Sequence, residues 1–274
     1  MNTVGEQKMS DAIALVEEPL LLREDRDDIT TLTLNRPKQF NTLSQAMLAA
    51  LQRELDDIAQ NDSIRVVVLA AAGKAFCAGH DLKEMRAHTD YAFQKALFDQ
   101  CSRMMLTIQR LPQPVIAKVQ GLATAAGCQL VAQCDLAVAA DSATFATSGI
   151  RVGLFCSTPA VPVSRAMPQK KALELLLTGD FIDAQTAVQY GLINDAVPAD
   201  QLDAAVQRLV DAIATKSSYA VESGKRMFYQ QIGMSLEEAY AYAAEVIACD
   251  MQADDAAEGI DAFLQKRQPV WQGR

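Results

Sequence analysis

The sequence predicts an α/β protein in which a layered core of strand–helix–strand units is followed by an almost purely helical C-terminal region. Three observations carry this. Short β-branched runs alternate with segments of helical periodicity through the first part of the chain. From about residue 168 onward the pattern is almost purely helical, and no strand signal of comparable strength follows residue 198. A length of 274 residues at 50% hydrophobic content, with no apolar run long enough to cross a bilayer, supplies core for one large domain or one domain with an appendage.

Taken in order, residues 1 to about 17 read as a loose polar extension. Ile29 to Leu34 alternates apolar and polar as a half-buried strand does, and Arg36-Pro37 stops it. Leu43, Met47, Leu48, Leu51, Leu55 and Ile58 fall at helical spacing before the polar stop Asn61-Asp62. Ile64 to Ala70 is a β-branched buried strand, with a turn at Ala71 to Lys74. A helix over roughly 91–110 ends ahead of Pro112 and Pro114. Val115 to Val119 is a strand, Ala125 to Cys134 a helix of small residues, and Leu136 to Ala139 a strand. Helical periodicity then covers Asp200 to Thr215, Tyr219 to Gln231 and Leu236 to Met251. These elements divide the chain into an extension (1–17), an α/β core (18–199) and a helical C-terminal region (200–274).

The formal charge of −9, with no basic stripe, argues against a nucleic-acid partner. Six scattered cysteines without a CxxC pair and only two histidines, His80 and His88, make a zinc site improbable, so no metal is expected. The N-terminus lacks a basic-then-apolar leader and is too acidic and arginine-poor for a transit peptide. With reduced thiols, this predicts a cytoplasmic protein with no membrane partner.

Two strand-to-helix turns carry the chemistry. Lys74 to Met85 (KAFCAGHDLKEM) follows a buried strand and turns at Gly79; the segment from Pro114 turns at Gly121 and enters a helix near Ala125-Ala126-Gly127. Helix N-termini present unpaired N–H groups and positive partial charge. Two such N–H groups aimed at one point would polarise a carbonyl and stabilise an enolate or tetrahedral oxyanion. Alone, AGHD reads as a tight turn; the second segment makes the pair specific.

These motifs resemble the crotonase (enoyl-CoA hydratase/isomerase) superfamily. AFCAGHDLKEM is similar to its first oxyanion segment and VIAKVQGLATAAGCQLVAQCDLAVA to its second; NRPKQFNTLS, TGDFIDAQTAVQYGLIN and FLQKRQPVW match in order, so the resemblance spans roughly 28–272. ATAAGCQ and GLFCSTP are wording shared with one branch of it. The resemblance implies a crotonase-like spiral of β-β-α units with a C-terminal helical trimerisation region, assembled as a homotrimer or dimer of trimers. It implies an acyl-CoA substrate, with coenzyme A as part of the substrate and no prosthetic group. Carried over by position, the oxyanion donors are the backbone N–H of His80 and Ala126. Ala78, His80, Asp81 and Leu82 would line the adenine and pantetheine channel, with Ala125 and Ala126 at the thioester and Lys38 and Phe40 at the mouth. Phe263 and Lys266 would complete the coenzyme site from this subunit or a neighbour.

The departures matter as much. The family's two hydratase glutamates fall on Gln129 and Gly149, and no glutamate stands between Glu84 and Glu174. Gln129 can orient a water but cannot accept a proton. The only carboxylates between residues 120 and 165 are Asp135 and Asp141. Hydration is therefore expected to be weak or absent. Reactions needing only enolate stabilisation survive, such as decarboxylation of a malonyl-type thioester, and thioester hydrolysis or non-catalytic acyl-CoA binding also remain open. A third reading is a hydratase that recruits His80 as base. Thr147 and Ser148 flank the missing glutamate as possible acyl contacts, and Cys156 lies close by in sequence. Apolar residues of the C-terminal region, among them Leu209, Val210, Met227, Phe228 and Val246, are expected to be buried against neighbouring subunits.

Overall fold

The computed structural model describes residues 18–274, so the extension expected over 1–17 lies outside the described residues. The elements are β1 (Leu21–Arg26), β2 (Ile29–Leu34), α1 (Gln45–Ile58), β3 (Val66–Ala71), β4 (Ala75–Cys77), α2 (Leu82–Ala87), α3 (Tyr91–Arg110), β5 (Val115–Val119), β6 (Leu122–Thr124), α4 (Ala126–Gln133), β7 (Leu136–Ala140) and β8 (Thr144–Ala146). There follow α5 (Ser157–Ala166), α6 (Gln169–Thr178), β9 (Ile182–Asp183), α7 (Ala184–Gln189), β10 (Asp195–Val197), α8 (Leu202–Ala214), α9 (Ser218–Gln231), α10 (Leu236–Asp250) and α11 (Asp254–Gln265).

The strands form two sheets. The larger has the order β1-β2-β3-β5-β7-β10 and the smaller β4-β6-β8-β9. All pairings in the large sheet are parallel except β1 with β2. Three successive units alternate between the sheets: β3, β5 and β7 enter the large one, while β4, β6 and β8 enter the small one before the chain turns helical. This is the β-β-α spiral implied by the resemblance. β3 and β5 are near-continuous apolar runs because both faces are covered. On one side Val67, Leu69, Val115 and Ala117 join the main core with Leu48, Leu51, Met104 and Ile108 of α1 and α3. On the other, Val66, Val68, Ile116 and Val138 pack against Leu202, Val206 and Val210 of α8.

Several strands escape the sequence reading. β1 is a charged edge, Leu-Leu-Arg-Glu-Asp-Arg, paired from Leu21↔Leu34 to Arg26↔Ile29. β4, β6 and β8 are three residues each, too short to show a period. β10 adds a parallel edge to β7 within the stretch read as helical. Of the apolar residues expected to serve assembly, Leu209 and Val210 instead pack α8 onto the large sheet, whereas Phe228 is exposed.

A buried ion pair ties α9 to this framework. Lys225 Nζ lies 2.6 Å from Asp135 Oδ2, with both side chains mostly buried. The ammonium also donates to the carbonyls of Ile108 (3.0 Å) and Gln113 (2.9 Å). Asp135 accepts further from Val115 N–H and from the Tyr229 hydroxyl. Every charge is thus partnered, so removing one leaves the other stranded. Lys225→Met is expected to destabilise the fold by about 3–5 kcal/mol in chemical denaturation. A loss below about 1 kcal/mol, the range of exposed pairs, would show the network to be incidental.

Candidate active site

The small sheet delivers each segment of the candidate site. β4 leads into Ala78-Gly79-His80, β6 into Ala125-Ala126, and β8 into Ser148-Gly149. The turn at Gly79 has φ +95°, and a methyl built there would stand 2.9 Å from Ala125 Cβ and 3.2 Å from Ala126 N. At Gly127 a Cβ would lie 2.0 Å from Cys77 O, so β4 and the first turn of α4 approach to a distance only glycine permits. Ala125, the N-cap of α4, has φ 50° and ψ −119° and no side chain able to cap. A non-glycine residue in that region is strained. The N–H groups of His80 and Ala126 donate to no acceptor among the described residues.

The segment expected to border the site, Lys38 to Leu43, is stitched to the same turn. Ala78 N–H donates to Phe40 O at 3.0 Å and Leu43 N–H to Gly79 O at 2.8 Å. Phe40 and Asn41 are both left-handed (φ 51° and 54°), a conformation stabilised by the fully buried Asn41. Its amide donates to Ala72 O and Ala75 O while its Oδ1 accepts from Arg36 N–H. Lys74 Nζ sits 5.4 Å from the Phe40 ring centroid. Lys38 lies on the adjoining helical turn Pro37–Gln39. Asp81 caps α2 by accepting from Lys83 and Glu84 N–H, and Leu82 is exposed. Phe263 and Lys266 are not joined to these residues. They lie at the end of α11, Phe263 is 82% exposed, and among the described residues no hydrogen bond links either to the other segments.

The two positions expected to correspond to the family's glutamates, Gln129 and Gly149, differ in character. Gln129 lies one turn into α4, its N–H donating to Ala125 O. It is only 3% exposed, yet its Oε1 has no hydrogen-bond partner. Gly149 has no room for a side chain: a Cβ would meet Leu154 O at 2.7 Å and Cys156 Sγ at 2.8 Å. Cys156 Sγ accepts from Gly149 N–H at 3.3 Å, and burial still holds the thiol above its ordinary pKa. It is therefore protonated at neutral pH and a poor nucleophile. Thr147, read from sequence as an acyl contact, is fully buried and donates to Leu175 O. Ser148 instead pairs with Thr124, Oγ to Oγ1 at 2.7 Å. Thr124 is the residue that sequence reasoning missed; it ends a strand of three residues, which carries no period that could have found it.

His80 is neutral in this setting. Its Nδ1 is 3.2 Å from the Leu43 carbonyl, which can only accept, so Nδ1 carries the proton. Nε2 is buried without a partner, the ring sits edge-on to Phe98, and burial lowers its pKa below 6.5.

Three outcomes follow. Gly127→Ala should destabilise by about 3 kcal/mol or more, because the methyl meets backbone. Ala125→Gly should leave stability unchanged or raised, as relief of about 1–3 kcal/mol of strain offsets about 0.5–1 kcal/mol of chain entropy. Thermal melts of both variants check the pair. As pH falls below 6.5, the unfolded state takes up a proton that folded His80 resists. Stability should fall by up to about 1.4 kcal/mol per pH unit until the lower folded pKa is reached, and His80→Gln should remove that share of the slope.

Comparison with known proteins fits this architecture. The family model described as enoyl-CoA hydratase/isomerase matches residues 24–274. Enoyl-CoA hydratase domain-containing protein 3, mitochondrial, of Rattus norvegicus is 44% identical over 255 residues, covering 93% of this chain and 85% of that protein. The crystal structure of the human domain-containing protein 3 superposes with TM-score 0.90 at 44% identity, covering 92% of this chain and 100% of that one. A Mycobacterium smegmatis enoyl-CoA hydratase structure gives TM-score 0.91 at 55% identity, covering 93% and 99%. The branch sharing the ATAAGCQ and GLFCSTP wording is thus domain-containing protein 3. These relatives overturn the cytoplasmic expectation, since those of rat, mouse, Xenopus laevis and human are named as mitochondrial. The thiols gave no guide to compartment: five of the six cysteines are simply buried, and burial pushes Cys77 and Cys128 up to about 12. With the family model spanning the folded chain and the spiral architecture shared, this chain belongs to the enoyl-CoA hydratase/isomerase family.

Proposed function

We propose that this chain binds acyl-CoA thioesters and stabilises an enolate of the bound acyl group through the backbone N–H of His80 and Ala126, hydrating enoyl thioesters weakly or not at all. The observation that carries this is the pair of unpaired N–H groups on two turns brought together at Gly79 and Ala125. The two N–H groups are open to a ligand oxygen, and a thioester oxygen accepting from both would have its developing charge stabilised. The uncapped N-terminus of α4 adds positive partial charge at the same point. In this reading Ala78, Asp81 and Leu82 line the coenzyme channel, Lys38 and Phe40 flank its mouth, and Ala125 packs beside the thioester.

The same geometry argues against hydration. Gln129 cannot take a proton from water, and Gly149 offers neither a side chain nor space for one. Thioester hydrolysis through Cys156 is disfavoured because its thiol is held protonated. Assembly as a trimer or dimer of trimers is supported by exposed apolar side chains along α9 to α11, including Phe228, Leu236, Ile247, Phe263 and Leu264. Helices α9 to α11 would then serve assembly and bring Phe263 and Lys266 to a neighbour's coenzyme.

Two measurements test this. Each missing acid–base group is worth about 10²–10⁴-fold, so hydration of crotonyl-CoA should run at about 10⁻³ s⁻¹ or less against an ordinary value near 10 s⁻¹. Gln129→Glu should raise it by about 10²-fold, while adding Gly149→Glu should bring no further gain, being blocked by Leu154 O and Cys156 Sγ. A wild-type rate near 10 s⁻¹ would contradict the reading. Light scattering should return the mass of three or six chains, and a monomer at micromolar concentration would refute the assembly.

A further inference from the structure

The peptide unit between Gly79 and His80 carries one of the two proposed donors, and a single residue, Leu43, grips it from both ends. Leu43 N–H donates to Gly79 O at 2.8 Å, and His80 Nδ1 donates to Leu43 O at 3.2 Å. A trans peptide is planar, with its C=O and N–H pointing in opposite directions. The bond on Gly79 O therefore aims the His80 N–H away from Leu43. It still leaves the plane free to rock about its Cα–Cα axis. Rocking turns ψ of Gly79, which has no side chain to oppose it, together with φ of His80, which the tethered ring does oppose.

The imidazole bond stands out from its surroundings. Leu43 and His80 form an isolated parallel bridge. Yet no backbone N–H among the described residues reaches Leu43 O at hydrogen-bond geometry, so the ring is the donor that satisfies that carbonyl. Nε2 is buried without a partner, which leaves Nδ1 as the ring's one engaged polar atom. The ring sits edge-on to Phe98 of α3, with centroids 5.3 Å apart. Leu43 itself is fully buried in the main core, so the grip ties the turn to packed side chains. Gln45 N–H, donating to Glu84 Oε2 at 3.0 Å, extends the same seam to α2.

We propose that His80 is a positioning residue: its side chain, through Nδ1–H to the Leu43 carbonyl, sets the direction in which its own backbone N–H meets the thioester oxygen. This rests on the acyl-CoA reading above.

Two variants separate the ring's two properties. His80→Phe keeps the ring and its packing on Phe98 but removes the Nδ1–H. His80→Asn gives up the ring but places an amide N–H near the Nδ1 position. The readout is the infrared carbonyl stretch of bound butyryl-CoA carrying ¹³C at the thioester, with saturation established by calorimetry. In the wild type the stretch should lie below its value in water. His80→Phe should lose roughly half of that displacement, because one of two donors is misdirected, and His80→Asn should keep most of it. A packing role predicts the reverse order. Full displacement in His80→Phe, or a loss in His80→Asn as large as in His80→Phe, would overturn the proposal. On the wild type alone, ¹⁵N NMR of the imidazole should place the proton on Nδ1; a proton on Nε2 would overturn the proposal even if neither variant folds. A wild type that leaves the carbonyl unshifted, or binds no butyryl-CoA, would instead overturn the reading beneath it.

Discussion

The architecture turns on one close approach, that of the β4 backbone to the first turn of α4. With Cys77 O 2.0 Å from where a Cβ on residue 127 would stand, and Ala125 Cβ 2.9 Å from where one on residue 79 would, the contact exists because both positions are glycine. The packing behind it is dense: Phe76 of β4, Cys128 of α4 and Phe145 of β8 are fully buried. Interiors packed at crystal-like density transmit small shifts. The positions of the His80 and Ala126 N–H groups are therefore fixed by core packing rather than by loop conformation. The strain at Ala125 is local evidence of that force, since an alanine adopts φ 50° there only when its surroundings impose it.

The electrostatics follow from the same frame. The far end of α4 is anchored by Asp135 through Lys225 and Tyr229 of α9, so the C-terminal region holds the helix whose N-terminus carries a proposed donor. At the near end the lining is neutral: Gln129, the Thr124–Ser148 hydroxyl pair, a protonated Cys156 and an uncharged His80. Cys156 and Gly149 act as a unit in this, because the sulfur fills the volume a side chain at 149 would need.

Much of this was legible in the sequence, for local reasons. β2, β3 and β5 announce themselves through β-branched runs, and both strand-to-helix turns through their glycines. The small sheet was not legible, because strands of three residues carry no period and are defined by neighbours distant in sequence. The absence of a carboxylate at 149 was legible, but the closure of Leu154 and Cys156 over that position depends on the turn that follows. Thr147 and Ser148 are adjacent and alike in sequence, and only the strand register decides that one serves Leu175 and the other faces Thr124. In the C-terminal region apolar content was visible but not its direction, so Leu209 and Val210 were assigned to an interface although α8 turns them onto the sheet.

The central claim is that two main-chain N–H groups polarise a thioester carbonyl. Isotope-edited infrared spectroscopy of butyryl-CoA labelled with ¹³C at the thioester carbon reports on that bond directly. On binding, the carbonyl stretch should move to lower frequency than in water, as two fixed donors draw charge onto the oxygen. A bound thioester whose stretch stays at or above its value in water would contradict the account.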